Sequence, residues 1–125
     1  DAEALHRLLR PGGRVVLHVV GRRRPPSDRG FRAAYLGTGG RLPRLGQVVT
    51  ALETADLEVV RIESIRADLA GTVRAWTTNV EHGFEQGAIP PTGAMRLWHL
   101  VLAGLVTALE ARLLSGYRVV AVRPA

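Results

Sequence analysis

The sequence predicts an α/β fold, because helical and strand patterns alternate along its 125 residues. Three observations support this: apolar residues at helical spacing, three short aliphatic runs rich in valine, and Pro- and Gly-rich turns between them. The predicted order is helix, strand, loop, helix, strand, two helices, strand. A parallel strand that is buried on both faces needs neighbouring strands and covering elements, and a chain with only three predicted strands does not supply enough of them. We therefore expect residues 1–125 to be the C-terminal part of one larger domain.

The first half of the chain contains a helix, a strand and a long loop. The spacing of apolar residues predicts a helix over Glu3–Leu9, which ends at Pro11–Gly13 because proline cannot continue it and glycine permits positive φ. Arg14–Val20 is predicted to be a strand, and its unbroken aliphatic content is typical of a parallel strand covered on both faces. Gly21–Arg44 is rich in Arg, Pro and Gly, which predicts a long loop.

The second half contains three helices and two strands. Leu45–Ala55 has apolar residues at helical spacing, and Leu57–Ile65 is predicted to be a strand. An apolar stripe predicts the next helix: Leu69, Val73, Trp76, Val80 and Phe84. The following helix, Ala94–Leu114, is apolar on nearly every side and is expected to be buried. Trp76 and Trp98 lie on apolar helix faces, so we expect both to be in packing contacts, and the wall of a channel is the functional alternative. Tyr117–Val122 is the last predicted strand.

Composition narrows the possible partners and the compartment. All 17 basic residues are arginine and the net charge is +6, which indicates GC-rich coding and a basic surface. The cluster Arg22–Arg24 leads into prolines with no interleaved aromatics, so we expect no nucleic-acid partner and a secondary role towards anionic phospholipid headgroups. Without cysteine the chain has no disulfide or thiolate metal site, and no signal peptide is visible, so the cytoplasm is the expected compartment. His6, His82 and His99 lack metal-ligand spacing, and we expect no metal.

His18 raises the main question about function. It follows a run of aliphatic residues at the end of the predicted strand Arg14–Val20, where open α/β sheets bind ligands. Two interpretations are open from the residues alone. The ring is either a core histidine bonded to a backbone carbonyl, which is the commoner case, or a group that faces a ligand.

Several stretches together resemble one family. They are LLRPGGRVVLHVV from Leu8, YLGTGGRLP from Tyr35, a Thr-x-x-x-Trp pair ending at Trp76, MRLWHLVLAG from Met95, and YRVVAVRP from Tyr117. In this order they are similar to the C-terminal half of cyclopropane-fatty-acyl-phospholipid synthases, which include the mycolic acid cyclopropane synthases. These are class I methyltransferases that depend on S-adenosylmethionine.

The resemblance implies both a fold and a reaction. The three strands would be strands five to seven of the methyltransferase sheet, with the last antiparallel and between the other two, and residues 66–115 would form a helical lid. The reaction would transfer a methyl or methylene group to the cis double bond of an unsaturated phospholipid acyl chain, with a bound bicarbonate taking a proton. No predicted strand leads into a Gly-x-Gly turn, so we expect this chain alone not to bind S-adenosylmethionine.

The resemblance also implies site residues. His18 falls at a ligand of the anion, and the backbone of Val20 would face the same anion. Substrate contacts are implied at Val20, Tyr35, Leu69, Val101 and Leu105.

Five positions depart from the family pattern. Leu69 and Val101 stand where the family has tyrosine, and leucine cannot donate a hydrogen bond. Asp68 stands where the family has histidine, Leu105 where its residue is often small or cysteine, and Arg118 where it has glutamine. These departures leave open two alternatives, a methyltransferase for a small hydrophobic metabolite and a non-catalytic lipid-binding protein. The oligomeric state is not predicted.

Overall fold

The computed structural model describes residues 1–23 and 42–125. The described elements are α1 (Ala2–Leu8), β1 (Arg14–Arg22), α2 (Leu45–Thr54), β2 (Glu58–Ser64), α3 (Arg66–Glu85), α4 (Gly93–Glu110) and β3 (Leu114–Val122). Their order is the predicted one, which confirms the α/β class. The described residues divide into two compact units: a sheet unit of residues 1–23, 42–65 and 115–125, and a helical unit of residues 66–114.

The sheet unit has the strand order β1-β3-β2. β2 and β3 are antiparallel, with Glu58 opposite Val122 and Ser64 opposite Tyr117. The start of β1 lies beside the end of β3, because the Arg123 N–H donates to the Gly13 carbonyl at 2.9 Å. β1 and β2 therefore run parallel to each other on either side of an antiparallel β3. This confirms the expectation that the last strand lies between the other two.

One face of this sheet carries the core. Four buried side chains form its centre: Leu52, Leu57, Val119 and Ala121. α1 and α2 contribute half-buried residues around them, including Leu5 and Val48, and Val15 and Leu17 do the same from β1. Full burial of a leucine stabilises the fold by about 1.5–3 kcal/mol, so this cluster stabilises the packing of α1 and α2 on the sheet.

β1 differs from its prediction in two ways. It is not covered on both faces in the described structure: its burial alternates, and Val16 is 53% exposed. It also continues to Arg22 and not to Val20, because the Arg22 N–H and Nε donate to the carbonyls of Pro43 and Leu42, both at 3.0 Å. These partners lie some twenty residues away, so local pattern gave no sign of them. His18 consequently lies in the middle of the strand and not at its end.

A tight turn joins α1 to β1. Gly12 has a φ of +76°, which favours glycine, and its N–H donates to the Arg123 carbonyl at 2.8 Å. Nη1 of Arg123 reaches back to α1, donating to the carbonyls of Leu9 at 2.6 Å and His6 at 3.2 Å. The residue after β3 thus satisfies carbonyls at the C-terminal end of α1, where a helix has no partners of its own.

The helical unit consists mainly of α3 and α4, which pack against each other. Arg66 at the start of α3 donates to the carbonyl of Leu109 near the end of α4 at 3.0 Å, so the helices are antiparallel. The expectation that the last helix is buried is wrong. Trp98 and Leu100 are each more than half exposed, because α4 buries only one stripe of side chains against α3. The helix also ends earlier than predicted, at Glu110 and not at Leu114.

The same unit corrects the expectation for the other tryptophan. Trp76 on α3 is 51% exposed and is not enclosed by packing in the described structure. Within residues 1–23 and 42–125, no helix combines the length and apolar character needed to cross a bilayer.

Candidate functional site

His18 projects from the sheet face opposite the core. Its neighbours Leu17 and Val19 are half-buried on the core side, and side chains alternate along a strand, so His18 faces the other way and is exposed. Its Nε2 accepts a hydrogen bond from Nε of Arg118 at 3.2 Å. The alternative of a buried core histidine bonded to a backbone carbonyl is therefore wrong for this structure.

Arg118 belongs to a row of polar side chains across the three strands. Its Nη1 donates to Oε2 of Glu63 on β2 at 3.2 Å, and Nη2 of Arg61 lies 3.7 Å from the same oxygen. We call His18, Arg118, Glu63 and Arg61 the polar row. Its two guanidinium groups face one carboxylate, which leaves an excess of positive charge beside the imidazole. An exposed ring nitrogen in a positive field suits the binding of a small anion.

A β-bulge in β2 places Glu63 in this row. Val59 lies opposite Ala121 but Arg61 lies opposite Val120, so Val60 is an extra residue in the ladder. Beyond the bulge, Glu63 lies opposite Arg118. Without the extra residue Ile62 would occupy that place, since register shifts by one position move the whole strand pattern. The polar row could not be predicted from local sequence patterns, because its members come from three separate strands.

The predicted site residues lie in both units. Val20 is half-buried on β1, two residues after His18 and on the same strand face. Leu69 on α3 and Leu105 on α4 are half-buried, and Val101 on α4 is buried. Tyr35 lies outside the described residues. The roles implied for these residues remain predictions.

The predicted positions in the helical unit offer hydrocarbon surface. Leu69, Val101 and Leu105 carry no polar side-chain atoms, so they cannot hold an anion by hydrogen bonds. This unit also contains a polar contact that was not predicted: Nε2 of His99 lies 2.9 Å from Oε1 of Glu81. The two residues are eighteen positions apart on different helices, and no local signal connects them.

The described residues do not fit a complete site for S-adenosylmethionine. The sequence has one Gly-x-Gly, Gly37–Gly39, which lies outside the described residues and follows no predicted strand. Neither β1 nor β2 is followed by such a turn in the described residues: β1 ends at Arg22 and is followed by Arg23, and β2 is followed almost directly by α3. Within the described ranges, no group of three His, Asp or Glu side chains is placed to hold a metal ion.

The sequence model of mycolic acid cyclopropane synthetases matches residues 2–118. The chain belongs to this family. The chain is 34% identical over 116 residues to a curated relative, a probable fatty acid methyltransferase of Pseudomonas putida. The match covers 90% of this chain and 29% of the relative. The chain is 30% identical over 119 residues to a probable fatty acid methyltransferase of Mycobacterium tuberculosis, covering 92% of this chain and 28% of the relative. The chain thus spans less than a third of the length of these relatives.

Solved structures of methyltransferases share the fold of this chain. The cyclopropane synthase MmaA2 from Mycobacterium tuberculosis superposes with a TM-score of 0.82 at 18% identity, over 97% of this chain and 48% of that one. The mycolic acid cyclopropane synthase CmaA1 complexed with SAH and CTAB gives 0.82 at 20% identity, over 97% and 49%. A phosphoethanolamine N-methyltransferase of Haemonchus contortus gives 0.80 at 15% identity, over 99% and 29%. The fold is that of the C-terminal part of a class I methyltransferase.

Proposed function

We propose that this chain is the C-terminal part of a methyltransferase that transfers a methyl or methylene group from S-adenosylmethionine to the cis double bond of an unsaturated acyl chain. Family membership and the curated relatives named as probable fatty acid methyltransferases support the class. The observation that carries the proposal is the exposed imidazole of His18, which lies in the polar row and contacts the guanidinium group of Arg118. The cofactor would be bound mainly by residues outside this chain.

The proposed task of His18 concerns a proton. In the described structure the ring uses Nε2 for Arg118, and its other nitrogen has no partner among the described residues. That nitrogen fits an anion such as bicarbonate, which the positive row would also attract. When bound, bicarbonate supplies the base that takes the proton lost as a cyclopropane ring closes. His18 would hold this base in place, and Val20 would contribute its backbone to the same anion.

The helical unit would form the lid, over residues 66–115, that covers the acyl chain. A carbocation is quenched by water, so the acyl site requires dry, apolar walls. Leu69, Val101 and Leu105 supply hydrocarbon positions, and Trp76 and Trp98 expose large apolar area that the packing within this unit leaves uncovered. This composition supports an acyl chain as substrate more than a polar one.

A product analysis with the full-length protein tests this proposal. The protein is incubated with S-adenosylmethionine carrying a deuterated methyl group and with vesicles of dioleoyl phosphatidylglycerol, and the fatty acids are examined by mass spectrometry. Ring closure retains two deuterium atoms, whereas simple methylation retains all three. Vesicles of distearoyl phosphatidylglycerol are the control, since they have the same headgroup without an alkene. Absence of label from the oleoyl chains would refute the proposed substrate.

The role of His18 is tested by replacement. We expect His18→Ala to lower ring formation by roughly 10²–10³-fold, the effect typical of removing one donor that stabilises a reacting anion. His6→Ala is the matched control, because that imidazole lies on α1 outside the polar row, and it should retain activity. Full activity of His18→Ala would contradict the assigned role.

A second candidate function is methylation of a small hydrophobic metabolite. It is favoured by Leu69, which replaces a tyrosine expected to bind the anion, and it needs no ring closure. Label that enters the small-molecule fraction of a cell extract, and not the phospholipid fraction, would support this candidate over the first.

We further propose peripheral contact with anionic membranes. Arg22 donates hydrogen bonds to the carbonyls of Leu42 and Pro43, whereas the next residue, Arg23, is exposed directly after the end of β1. Electrostatic contact predicts binding to phosphatidylglycerol vesicles that weakens as salt is raised, and little binding to phosphatidylcholine vesicles. Equal binding to both would contradict this contact.

A further inference from the structure

The contact between Arg118 and His18 fixes which ring nitrogen carries the proton. An arginine Nε–H can only donate, and Arg118 directs it at Nε2 of His18 at 3.2 Å. Nε2 must therefore be the unprotonated acceptor. The single N–H of the neutral ring is then on Nδ1, and this tautomer follows from the contact without any observed hydrogen.

Arg118 is itself held from its other side. Glu63 accepts from Nη1 at 3.2 Å, while Nε points to the histidine, so the planar group spans the two strands that flank β3. Arg118 and Glu63 are each about 40% exposed, so neither is locked by close packing alone. The bulge at Val60 puts the carboxylate opposite Arg118, and Arg61 reaches the same oxygen from within β2.

We infer that Arg118 and Glu63 are positioning residues for His18: they keep its Nδ1–H as the donor that faces the bound anion. This inference rests on the proposed function of His18 and extends it to two further residues. A fixed tautomer matters because a ring that presented an unprotonated nitrogen would repel an anion instead of binding it. The guanidinium also adds positive charge beside the anion without replacing the imidazole as its ligand.

Nitrogen NMR on the full-length protein labelled with ¹⁵N-histidine tests the tautomer directly. The His18 signals are assigned by their absence in His18→Ala. We expect the wild-type ring to carry its proton on Nδ1, and its Nδ1 signal to shift when bicarbonate is added. Arg118→Leu leaves Nε2 without a donor, so Nε2–H should become populated and the bicarbonate response should weaken. A wild-type proton on Nε2, or an unchanged tautomer in Arg118→Leu, would overturn the inference.

Turnover provides the second readout. Arg118→Leu should lower kcat for ring formation by roughly 10- to 100-fold, the range typical of losing the partner that orients a functional histidine, with little change in KM for the lipid. Glu63→Gln should act in the same direction but less strongly, since it leaves the bond from Arg118 to His18 possible. Arg7→Leu on α1 is the control and should match the wild type. An Arg118→Leu protein with wild-type kcat would contradict the inference.

The two proposals fail in different ways. The NMR measurement and the bicarbonate titration need no lipid turnover. A protein that leaves oleoyl chains unlabelled, but shows the Arg118-dependent tautomer and bicarbonate shift, would refute the substrate and retain the positioning role. A protein that labels oleoyl chains, but whose His18 tautomer does not depend on Arg118, would retain the substrate and refute the positioning role.

Discussion

Arg123 connects the end of β3 to the end of α1, and its replacement should loosen that helix. Arg123→Met keeps most of the aliphatic length but removes the hydrogen bonds from Nη1 to the carbonyls of Leu9 and His6, at 2.6 and 3.2 Å. Hydrogen bonds that involve a charged group contribute about 1.5–3 kcal/mol each when well formed. Because both hydrogen bonds are only partly buried, water can replace part of what is lost, and we expect a total cost of about 2 kcal/mol.

Hydrogen exchange measures this cost where it arises. A loss of about 2 kcal/mol in local stability corresponds to roughly 30-fold faster exchange of amides that open with α1. Exchange is followed by mass spectrometry in the full-length protein, for the peptide that covers residues 1–13. Arg7→Met is the control on the same helix: its ion pair with Glu3 has an N–O distance of 4.0 Å and lies on the surface, so its loss should cost well under about 1 kcal/mol. Equal exchange in the two variants would refute the reasoning.

Three further substitutions test packing, each read out by chemical denaturation of the full-length protein. Gly13→Ala should destabilise it by about 1–3 kcal/mol, because the new Cβ would lie 2.7 Å from the Arg10 carbonyl; a neutral effect would contradict that clash. Gly104→Ala should stabilise by roughly 0.5–1 kcal/mol, since it is helical with open space around it, and a loss of stability would count against this. Leu109→Ala should cost about 2–5 kcal/mol because Leu109 is fully buried, while exposed Leu100→Ala should cost far less; similar losses would argue against the burial pattern.

The local residue pattern predicted the positions of the helices and strands better than it predicted their long-range partners and the exposure of their side chains. Apolar spacing placed every described helix and strand, and Pro11–Gly13 marked the turn after α1, because these signals lie within a few residues of one another. The central position of β3 came from the family resemblance and not from its sequence. The end of β1 at Arg22 could not be predicted, since it depends on Leu42 and Pro43. Trp98 was expected to be packed because an apolar sequence does not reveal which face meets a neighbour.

The candidate site also combines a residue that the sequence predicted with contacts that it could not predict. His18 was identified from its place after an aliphatic run and from the resemblance, and its exposure could be decided only from the fold. Its partner Arg118 is one hundred residues away, and Glu63 reaches Arg118 because of a bulge that no residue pattern announces. Contacts between distant strands depend on register, which single-sequence reasoning does not provide.

The order β1-β3-β2 affects how the protein is synthesised as well as how it is built. β2 leaves the ribosome before β3, the strand with which it pairs, so its amides on that edge stay unpaired while some fifty further residues, including α3 and α4, are translated. Such edges invite association between nascent chains, and chaperone contact in this interval would reduce it. A frameshift or stop codon before Leu114 would remove β3 and leave β2 without the strand that joins it to the rest of the sheet.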